Sequence, residues 1–193
     1  MIKLIVSDVD GTLVEDGSAD INPELFEVIL KLREKGIQFA IASGRPWSSV
    51  EHTFDPVKKK IFYISNNGSY IGCHGRSLYT YTIDKKLAER VIRSVRRHPE
   101  LELVYACAGD MWMDCMALGV NKGNAVKTIQ ESLDIRPEET MAFGDQLNDL
   151  EMLDQAYYSF AVANAREEVR RAARFQADSN VNDGVLKILK YLL

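Results

Sequence analysis

Residues 2–13 read IKLIVSDVDGTL, and this stretch decides the fold more than any other part of the chain. The apolar run at 2–6 is typical of a buried β-strand, because it is short and is followed by a glycine turn signal. Asp8 and Asp10 follow at a spacing of two, which places both side chains on one side of an extended chain. Such a pair repels itself unless a cation or a shared proton relieves it. The alternative is a simple Asx-turn, in which Asp10 and Gly11 only end the strand.

Strand and helix signals alternate through most of the chain. Short apolar runs predict core strands at 2–7, 37–42, 61–65, 141–144, 159–163 and 175–177, and a hairpin at 70–82. Helix signals lie at 22–36, after Pro46, and at 123–133, 149–155, 166–173 and 185–192. Strands that alternate with helices favour βαβ units and hence parallel strands. The sequence therefore predicts an α/β fold, a Rossmann-like parallel sheet flanked by helices.

This alternation is interrupted between residues 83 and 116. A helix signal at 84–97 is followed by two strand signals, at 101–107 and 111–116. We therefore predict a discontinuous core domain, residues 1–82 and 117–193, with residues 83–116 as a small inserted αββ cap.

Composition limits the class of protein. The chain has 193 residues and a net charge of −4, which disfavours a nucleic-acid or anionic-membrane partner. Cys73, Cys107 and Cys115 show no CxxC spacing and predict free thiols in a reducing compartment. The sequence shows no charged-then-apolar leader and no long apolar run. These features predict a soluble, cytoplasmic protein with no nucleic-acid and no membrane partner.

Four polar segments follow predicted strands or open a predicted helix. They are Asp8 to Asp10, Ser43-Gly44-Arg45, Lys122-Gly123, and Gly144-Asp145-Gln146-Leu147-Asn148-Asp149. Because a parallel sheet gathers its strand ends at one edge, these segments can surround one pocket. Oxygen ligands without nitrogen or sulfur suit Mg²⁺, whereas a hydroxyl, an ammonium and helix N–H groups suit a phosphate. The chemistry that fits both is phosphoryl transfer to a carboxylate nucleophile.

Each segment taken alone also has a plain structural explanation. Ser43-Gly44 is compatible with an ordinary turn, and Lys122 with a solvated helix position. Arg45 is expected at the surface, because an arginine that begins a helix is usually exposed, although contact with a phosphate is the alternative. These explanations do not predict the order and placement of all four segments on one α/β frame.

The segments resemble the motifs of the haloacid dehalogenase superfamily of phosphatases. Its pattern is DxDGT on the first strand, Ser or Thr after the second, Lys opening a later helix, and GDxxND after a further strand. This chain matches at Asp8–Thr12, Ser43, Lys122 and Gly144–Asp149. Four further segments are similar in sequence to the Cof-type branch: ASGRP at 42–46, SNNG at 65–68, VNKG at 120–123 and NDGV at 182–185.

The resemblance implies a role for each matching residue. Asp8 would be the nucleophile that forms an aspartyl-phosphate, and Asp10 would protonate the leaving group and then activate water. The implied Mg²⁺ ligands are Asp8, Asp145 and the backbone carbonyl of Asp10. The implied phosphate-binding groups are Asp8, Ser43, Gly44, Lys122, Asn148 and the backbone N–H groups of Val9 and Asp10. Lys122 would be catalytic as well, and Asp149 would support Lys122 or a metal-bound water.

The expected function is therefore a Mg²⁺-dependent phosphatase of a small phosphorylated metabolite, with a sugar phosphate as the expected substrate. A phosphomutase is an alternative, but a mutase must shield its intermediate from water with an enclosing cap. A non-catalytic phospholigand-binding protein on the same scaffold is the other alternative. Such a protein is expected to lose Asp8 or Asp10, and this chain keeps both.

The inserted cap is the main departure from the Cof-type pattern. Members of that branch usually carry a larger cap, whereas only about 35 residues are left for it here. A three-element cap exposes a sheet edge and an apolar face. Either two chains pair through their caps as a homodimer, or the site stays open and accepts bulky substrates.

Overall fold

The computed structural model describes residues 1–97 and 117–193. The strands in this part are β1 Leu4–Ser7, β2 Gln38–Ala42, β3 Phe62–Ser65, β4 Tyr70–Cys73, β5 Arg76–Thr80, β6 Thr140–Gly144, β7 Tyr158–Val162 and β8 Phe175–Ala177. The helices are α1 Pro23–Glu34, α2 Trp47–Thr53, α3 Lys85–Val95, α4 Lys122–Leu133, α5 Leu150–Asp154, α6 Glu167–Ala172 and α7 Gly184–Lys190. This arrangement confirms the predicted α/β fold.

The strands form one sheet in the order β5-β4-β3-β2-β1-β6-β7-β8. From β3 to β8 all neighbours are parallel, and β4 and β5 add an antiparallel hairpin at one edge. The chain moves outward from β1 through β2 to β3, and later from β6 through β7 to β8 on the other side. The strand order therefore reverses at β1, and ligands in open α/β sheets bind beyond the carboxyl ends of the strands at such a point.

Burial of the central strand explains its apolar sequence. Leu4, Ile5 and Val6 have no exposed surface, because helices cover both faces of a parallel sheet. Burying each of these side chains contributes about 1.5–3 kcal/mol relative to leaving it in water. The strand is thereby a rigid base for the residues that follow it.

The start of α1 shows how local sequence fixes an element. The Asn22 side chain accepts a hydrogen bond from the backbone N–H of Glu24 at 3.0 Å, and Pro23 is the first helical residue. The helix packs its apolar side into the core through Leu25, Val28, Ile29 and Leu32. Gly36, with φ of +82°, reverses the chain into β2.

The insert is only partly described. Its predicted helix is present as α3, where Leu87 is 47% exposed. The strands predicted at 101–107 and 111–116 fall outside the described residues, as do Cys107 and Cys115. Cys73 is buried as a free thiol. Within residues 1–97 and 117–193, none of the helices has the length and apolar character needed to cross a membrane.

Candidate active site

Four predicted site residues meet beyond the carboxyl end of the central strands. The Lys122 Nζ donates hydrogen bonds to Asp8 Oδ1 at 2.5 Å and to Asp149 Oδ1 at 2.6 Å. Lys122 is only 1% exposed, and Asp8, Asp145 and Asp149 are buried as well. Each ion pair is therefore screened little by water, and removing one partner would leave a buried charge. Lys122 is not the solvated helix residue that its sequence position alone allowed.

Strand register brings the two aspartate segments together. Ser7 of β1 pairs with Phe143 of β6, and the Asp8 N–H donates to the Phe143 carbonyl at 3.0 Å. Asp145 follows directly after β6, so its carboxylate lies beside the β1 loop. The Thr12 hydroxyl donates to Asp145 Oδ1 at 2.6 Å across that junction. The DxDGT loop and the GDxxND loop are thus joined through this hydrogen bond.

Asp149 is held by the loop that precedes it. Its Oδ2 accepts hydrogen bonds from the backbone N–H groups of Asp145 at 2.9 Å and Gln146 at 3.0 Å. A Cβ on Gly144 would lie 2.6 Å from the Asp149 Cβ, so only glycine fits there. Gln146 also donates through its side chain to Asp145 Oδ2 at 3.1 Å. The loop therefore fixes both carboxylates at once.

The charges in this cluster perturb one another. Burial raises the pKa of Asp8 well above its ordinary range, which Lys122 opposes and Asp149 and Asp145 reinforce. Burial likewise raises the pKa of Asp145 to about 6, against the hydrogen bond from Thr12. Burial alone would lower the pKa of Lys122, but Asp149 and Asp8 outweigh it and raise the pKa. A single ammonium group thus faces several carboxylates, and a further cation would relieve their repulsion.

Three of the carboxylates lie close enough together to share one cation. Oxygen atoms of Asp8, Asp145 and Asp149 all lie within 4.8 Å of one another. An all-oxygen donor set with no nitrogen or sulfur fits a hard divalent cation. Burial and, to a smaller extent, Asp149 raise the pKa of Asp145, and a bound cation would favour its ionised form. Within the described residues, this cluster contains Asp149 and not the carboxylate of Asp10.

The Asp10 carboxylate lies outside this cluster and binds Arg45. Its Oδ2 accepts from Arg45 Nε at 2.7 Å, and its Oδ1 accepts from Arg45 Nη2 at 2.5 Å and from the Gly17 N–H at 3.0 Å. The expected surface position of Arg45 is wrong, because only 12% of its side chain is exposed. The hydrogen bonds from Arg45 also mean that Asp10 does more than end a strand with an Asx-turn.

A second group of predicted residues lies at the end of β2. Ser43 is buried, and its hydroxyl accepts from the Arg45 N–H at 3.0 Å. Asn67, in a left-handed conformation with φ of 52°, donates its backbone N–H to the Ser43 carbonyl at 3.1 Å. The Asn67 side-chain oxygen accepts from Asn148 Nδ2 at 3.0 Å and lies 3.3 Å from a Cβ built on Gly44. Asn67 therefore connects three predicted phosphate-binding residues: Ser43, Gly44 and Asn148.

Three residues that shape the site had no predicted role: Thr12, Asn67 and Gln146. For Arg45, contact with a phosphate was the stated alternative, and contact with Asp10 was not predicted. The Asn67-Gly68 pair was a usable signal, because Asn and Gly are the residues that adopt left-handed conformations. Thr12 and Gln146 lie inside the quoted motifs, but no spacing rule shows which carboxylate they contact.

The sequence is similar to a family of hydrolases and to known phosphatases. The family model described as haloacid dehalogenase-like hydrolase matches residues 5–114 and 103–189. A 5-amino-6-(5-phospho-D-ribitylamino)uracil phosphatase of Bacillus subtilis is 26% identical over 240 residues, covering 98% of this chain and 95% of that protein. A phosphoglycolate phosphatase of Methanospirillum hungatei is 24% identical, covering 98% of this chain and 96% of that protein.

Solved structures share the fold of this chain. One from Eubacterium rectale superimposes with a TM-score of 0.89 at 32% identity, covering 100% of this chain and 99% of the other. A haloacid dehalogenase-like hydrolase from Bacillus subtilis has a TM-score of 0.82 at 22% identity, covering 100% of both chains. The second likeness concerns the fold alone.

Proposed function

The chain belongs to the haloacid dehalogenase-like hydrolases of the Cof type and is a phosphoric monoester hydrolase, and from this premise we propose a specific activity. The protein is a Mg²⁺-dependent phosphatase of a small phosphorylated metabolite, with a sugar phosphate as the expected substrate. The reaction passes through an aspartyl-phosphate on Asp8. We place the protein in the cytoplasm, where the free thiol of Cys73 is stable.

One observation carries this proposal: Lys122 binds Asp8 inside a buried cluster that also contains Asp145 and Asp149. A carboxylate is a weak nucleophile toward a phosphate dianion, because the two repel each other. Lys122 offsets part of that repulsion and orients the Asp8 carboxylate through their hydrogen bond. Bound Mg²⁺, held by Asp8, Asp145 and the Asp10 carbonyl, would supply further neutralisation of the phosphoryl oxygens.

The proposed reaction has two steps. Asp8 attacks phosphorus as the ester P–O bond breaks, and Asp10 gives its proton to the departing alkoxide. A water molecule then attacks the aspartyl-phosphate, Asp10 takes its proton, and inorganic phosphate leaves. Phosphate monoesters are among the slowest reactions to occur uncatalysed, which requires barrier reductions of more than about 20 kcal/mol. Positioning and charge stabilisation together must supply that amount.

The phosphate is proposed to lie between the two groups of site residues. Lys122 contacts it from the metal side, and Ser43, Gly44 and Asn148 from the β2 side, with the N–H groups of Val9 and Asp10. Asp149 holds Lys122 in position through the 2.6 Å contact. The support is the burial of Ser43 and the link from Asn148 through Asn67 to the β2 turn.

The relatives support the substrate class. The names of the two relatives specify a phosphorylated ribitylamino-uracil and phosphoglycolate, both small phosphorylated molecules. We therefore expect a small phosphate ester here too. A screen of sugar phosphates, phosphoglycolate and the phosphoribitylamino compound would identify the preferred substrate by its kcat/KM.

The first experiment measures phosphate release from 4-nitrophenyl phosphate with Mg²⁺ and with EDTA. We expect Mg²⁺-dependent release that disappears in Asp8→Asn and is unchanged in Asp154→Asn, a matched exposed aspartate. Mass spectrometry of quenched enzyme should find the phosphoryl group on Asp8. Release that persists in Asp8→Asn with an intact fold would overturn the proposal. With a sugar phosphate as the substrate, movement of the phosphoryl group between sugar positions without release of phosphate would indicate a mutase.

We also propose that residues 83–116 act as a cap through which two chains pair. The alignment with the Bacillus subtilis phosphatase has 240 positions for a chain of 193 residues, so about 50 positions have no counterpart here. Leu87 on α3 is 47% exposed and offers an apolar contact. Light scattering at micromolar concentration should give a dimer that Leu87→Glu dissociates and Glu89→Gln does not; a monomer would overturn the pairing.

A further inference from the structure

Arg45 binds Asp10 through a two-point contact at the edge of the candidate site. Two N–H groups of the guanidinium bind the two oxygens of one carboxylate, at 2.7 and 2.5 Å. Only 12% of the Arg45 side chain and 25% of the Asp10 side chain are exposed. A fork of this kind fixes the plane of the carboxylate as well as its distance, which one hydrogen bond cannot do.

Asp10 needs such a contact because it stands apart from the other carboxylates. Asp8 is held by Lys122, and Asp145 is held by Thr12 and Gln146. Asp10 lies beyond the end of β1, on the loop that leads to α1, where backbone alone does not fix a side chain. Proton transfer depends on geometry, since the donor oxygen must lie within hydrogen-bond distance of the leaving group.

Arg45 is itself anchored on both sides. Its backbone N–H donates to the Ser43 hydroxyl at 3.0 Å, and its carbonyl accepts from the Asn66 N–H at 3.1 Å. Its Nη2 also donates to the Ser18 carbonyl at 2.6 Å, while the Gly17 N–H binds Asp10. Arg45 therefore connects the β2 turn, where we place the phosphate, to the loop that carries Asp10.

We propose that Arg45 is a positioning residue for proton transfer: it holds the Asp10 carboxylate at a fixed direction relative to the phosphate bound at Ser43. This inference rests on the proposed function, in which Asp10 protonates the leaving group. Arg45 takes no proton and forms no bond to substrate in this role. Lysine cannot replace it, because one ammonium group lacks the planar pair of donors.

The test compares two esters of similar shape, 4-nitrophenyl phosphate and phenyl phosphate. Nitrophenolate leaves readily without a proton, whereas phenolate depends more on the acid. We expect Arg45→Ala to lower kcat/KM for phenyl phosphate by about 10²-fold, the size expected for a misplaced acid. For the nitrophenyl ester we expect a loss of only about tenfold. Arg45→Lys should show the same split, and millimolar guanidinium chloride should partly restore phenyl phosphate hydrolysis by Arg45→Ala.

Controls separate this inference from the proposed function. Asp10→Asn should show the same split, and the double variant should be no worse than Asp10→Asn. Arg171→Ala removes an exposed arginine paired with Glu167 and should change nothing. Circular dichroism checks the fold, and Arg45→Lys carries the test if Arg45→Ala does not fold.

Each outcome decides one of the two ideas. In one outcome, Asp10→Asn loses more activity toward phenyl phosphate than toward the nitrophenyl ester, but the Arg45 variants lose equally toward both esters or not at all. That outcome overturns the role of Arg45 and leaves the proposed function standing. No split in Asp10→Asn removes the acid role of Asp10, and the role of Arg45 with it. If the unaltered protein hydrolyses neither ester, the proposed function fails and the inference falls too.

Discussion

Gly11 and Asp145 lie so close together that a Cβ at position 11 would be 2.3 Å from Asp145 Oδ2. The backbone of Gly11 has φ of +76°, a left-handed conformation that side chains rarely adopt. Two physical requirements therefore explain why the DxDGT motif has glycine at position 11. It allows the loop to turn, and it leaves room for a carboxylate of the proposed metal site.

These two reasons are separable with matched glycine variants. Gly36 has φ of +82° with nothing within 4 Å of its added Cβ. We expect backbone strain to lower the free energy of unfolding by about 1–2 kcal/mol in both Gly11→Ala and Gly36→Ala, and the close contact with Asp145 to add to the loss in Gly11→Ala. Only Gly11→Ala should weaken Mg²⁺ binding in calorimetric titration. Equal Mg²⁺ affinities in the two variants would show that the close contact has no effect on the metal site.

The raised pKa of Asp145 gives a pH dependence with a definite sign. The folded protein keeps this proton up to about pH 6, whereas the ordinary value of the carboxyl is 3.8. The folded state therefore binds more protons between these values, and the free energy of unfolding falls as pH rises through them. The loss is up to about 3 kcal/mol above pH 6 in metal-free protein.

Asp145→Asn removes this cost, so in EDTA at pH 8 we expect the variant to be more stable than the unaltered protein by about 1–3 kcal/mol. Urea unfolding from pH 4 to 8 measures the difference, with exposed Asp154→Asn as the control. Added Mg²⁺ should stabilise the unaltered protein but not the variant. A variant less stable at every pH would contradict the interpretation that burial makes the charge of Asp145 unfavourable in the metal-free protein.

Lys122 is expected to matter for folding as well as for activity. Lys122→Met leaves Asp8 and Asp149 buried without their cation, which typically costs about 3–5 kcal/mol. Exposed Lys127 on the same helix gives the control Lys127→Met. Thermal unfolding in EDTA at pH 8 should show the loss, and it should shrink toward acidic pH as Asp8, whose pKa burial raises, gains a proton. A loss that is independent of pH would point to packing instead of charge.

Sequence reasoning predicted the framework well because local patterns fix it. The apolar run of β1, the Asn22-Pro23 helix start and the hairpin signal at 70–82 each specify their own element. The convergence of Asp8, Lys122, Asp145 and Asp149 followed from the rule that parallel strands share a carboxyl edge. The αββ cap and the site roles stay predictions.

Side-chain partners were beyond the reach of the sequence. Arg45 binds Asp10 across 35 positions and Thr12 binds Asp145 across 133. Such contacts depend on strand register and rotamers, which no local pattern encodes. The same limit applies to Asp149, whose inward direction is set by two backbone N–H groups of its own loop.

The Thr12 hydroxyl offers the sharpest test of these long-range contacts. Thr12→Val keeps the shape of the side chain but removes the donor to Asp145 Oδ1, whereas Thr12→Ser keeps the donor. Partners that orient a metal ligand typically contribute about 10–100-fold to metal affinity, so we expect Thr12→Val to bind Mg²⁺ that much more weakly. Calorimetry and the Mg²⁺ dependence of kcat measure the effect. Equal losses in Thr12→Ser and Thr12→Val would mean that the methyl group, and not the hydrogen bond, holds Asp145.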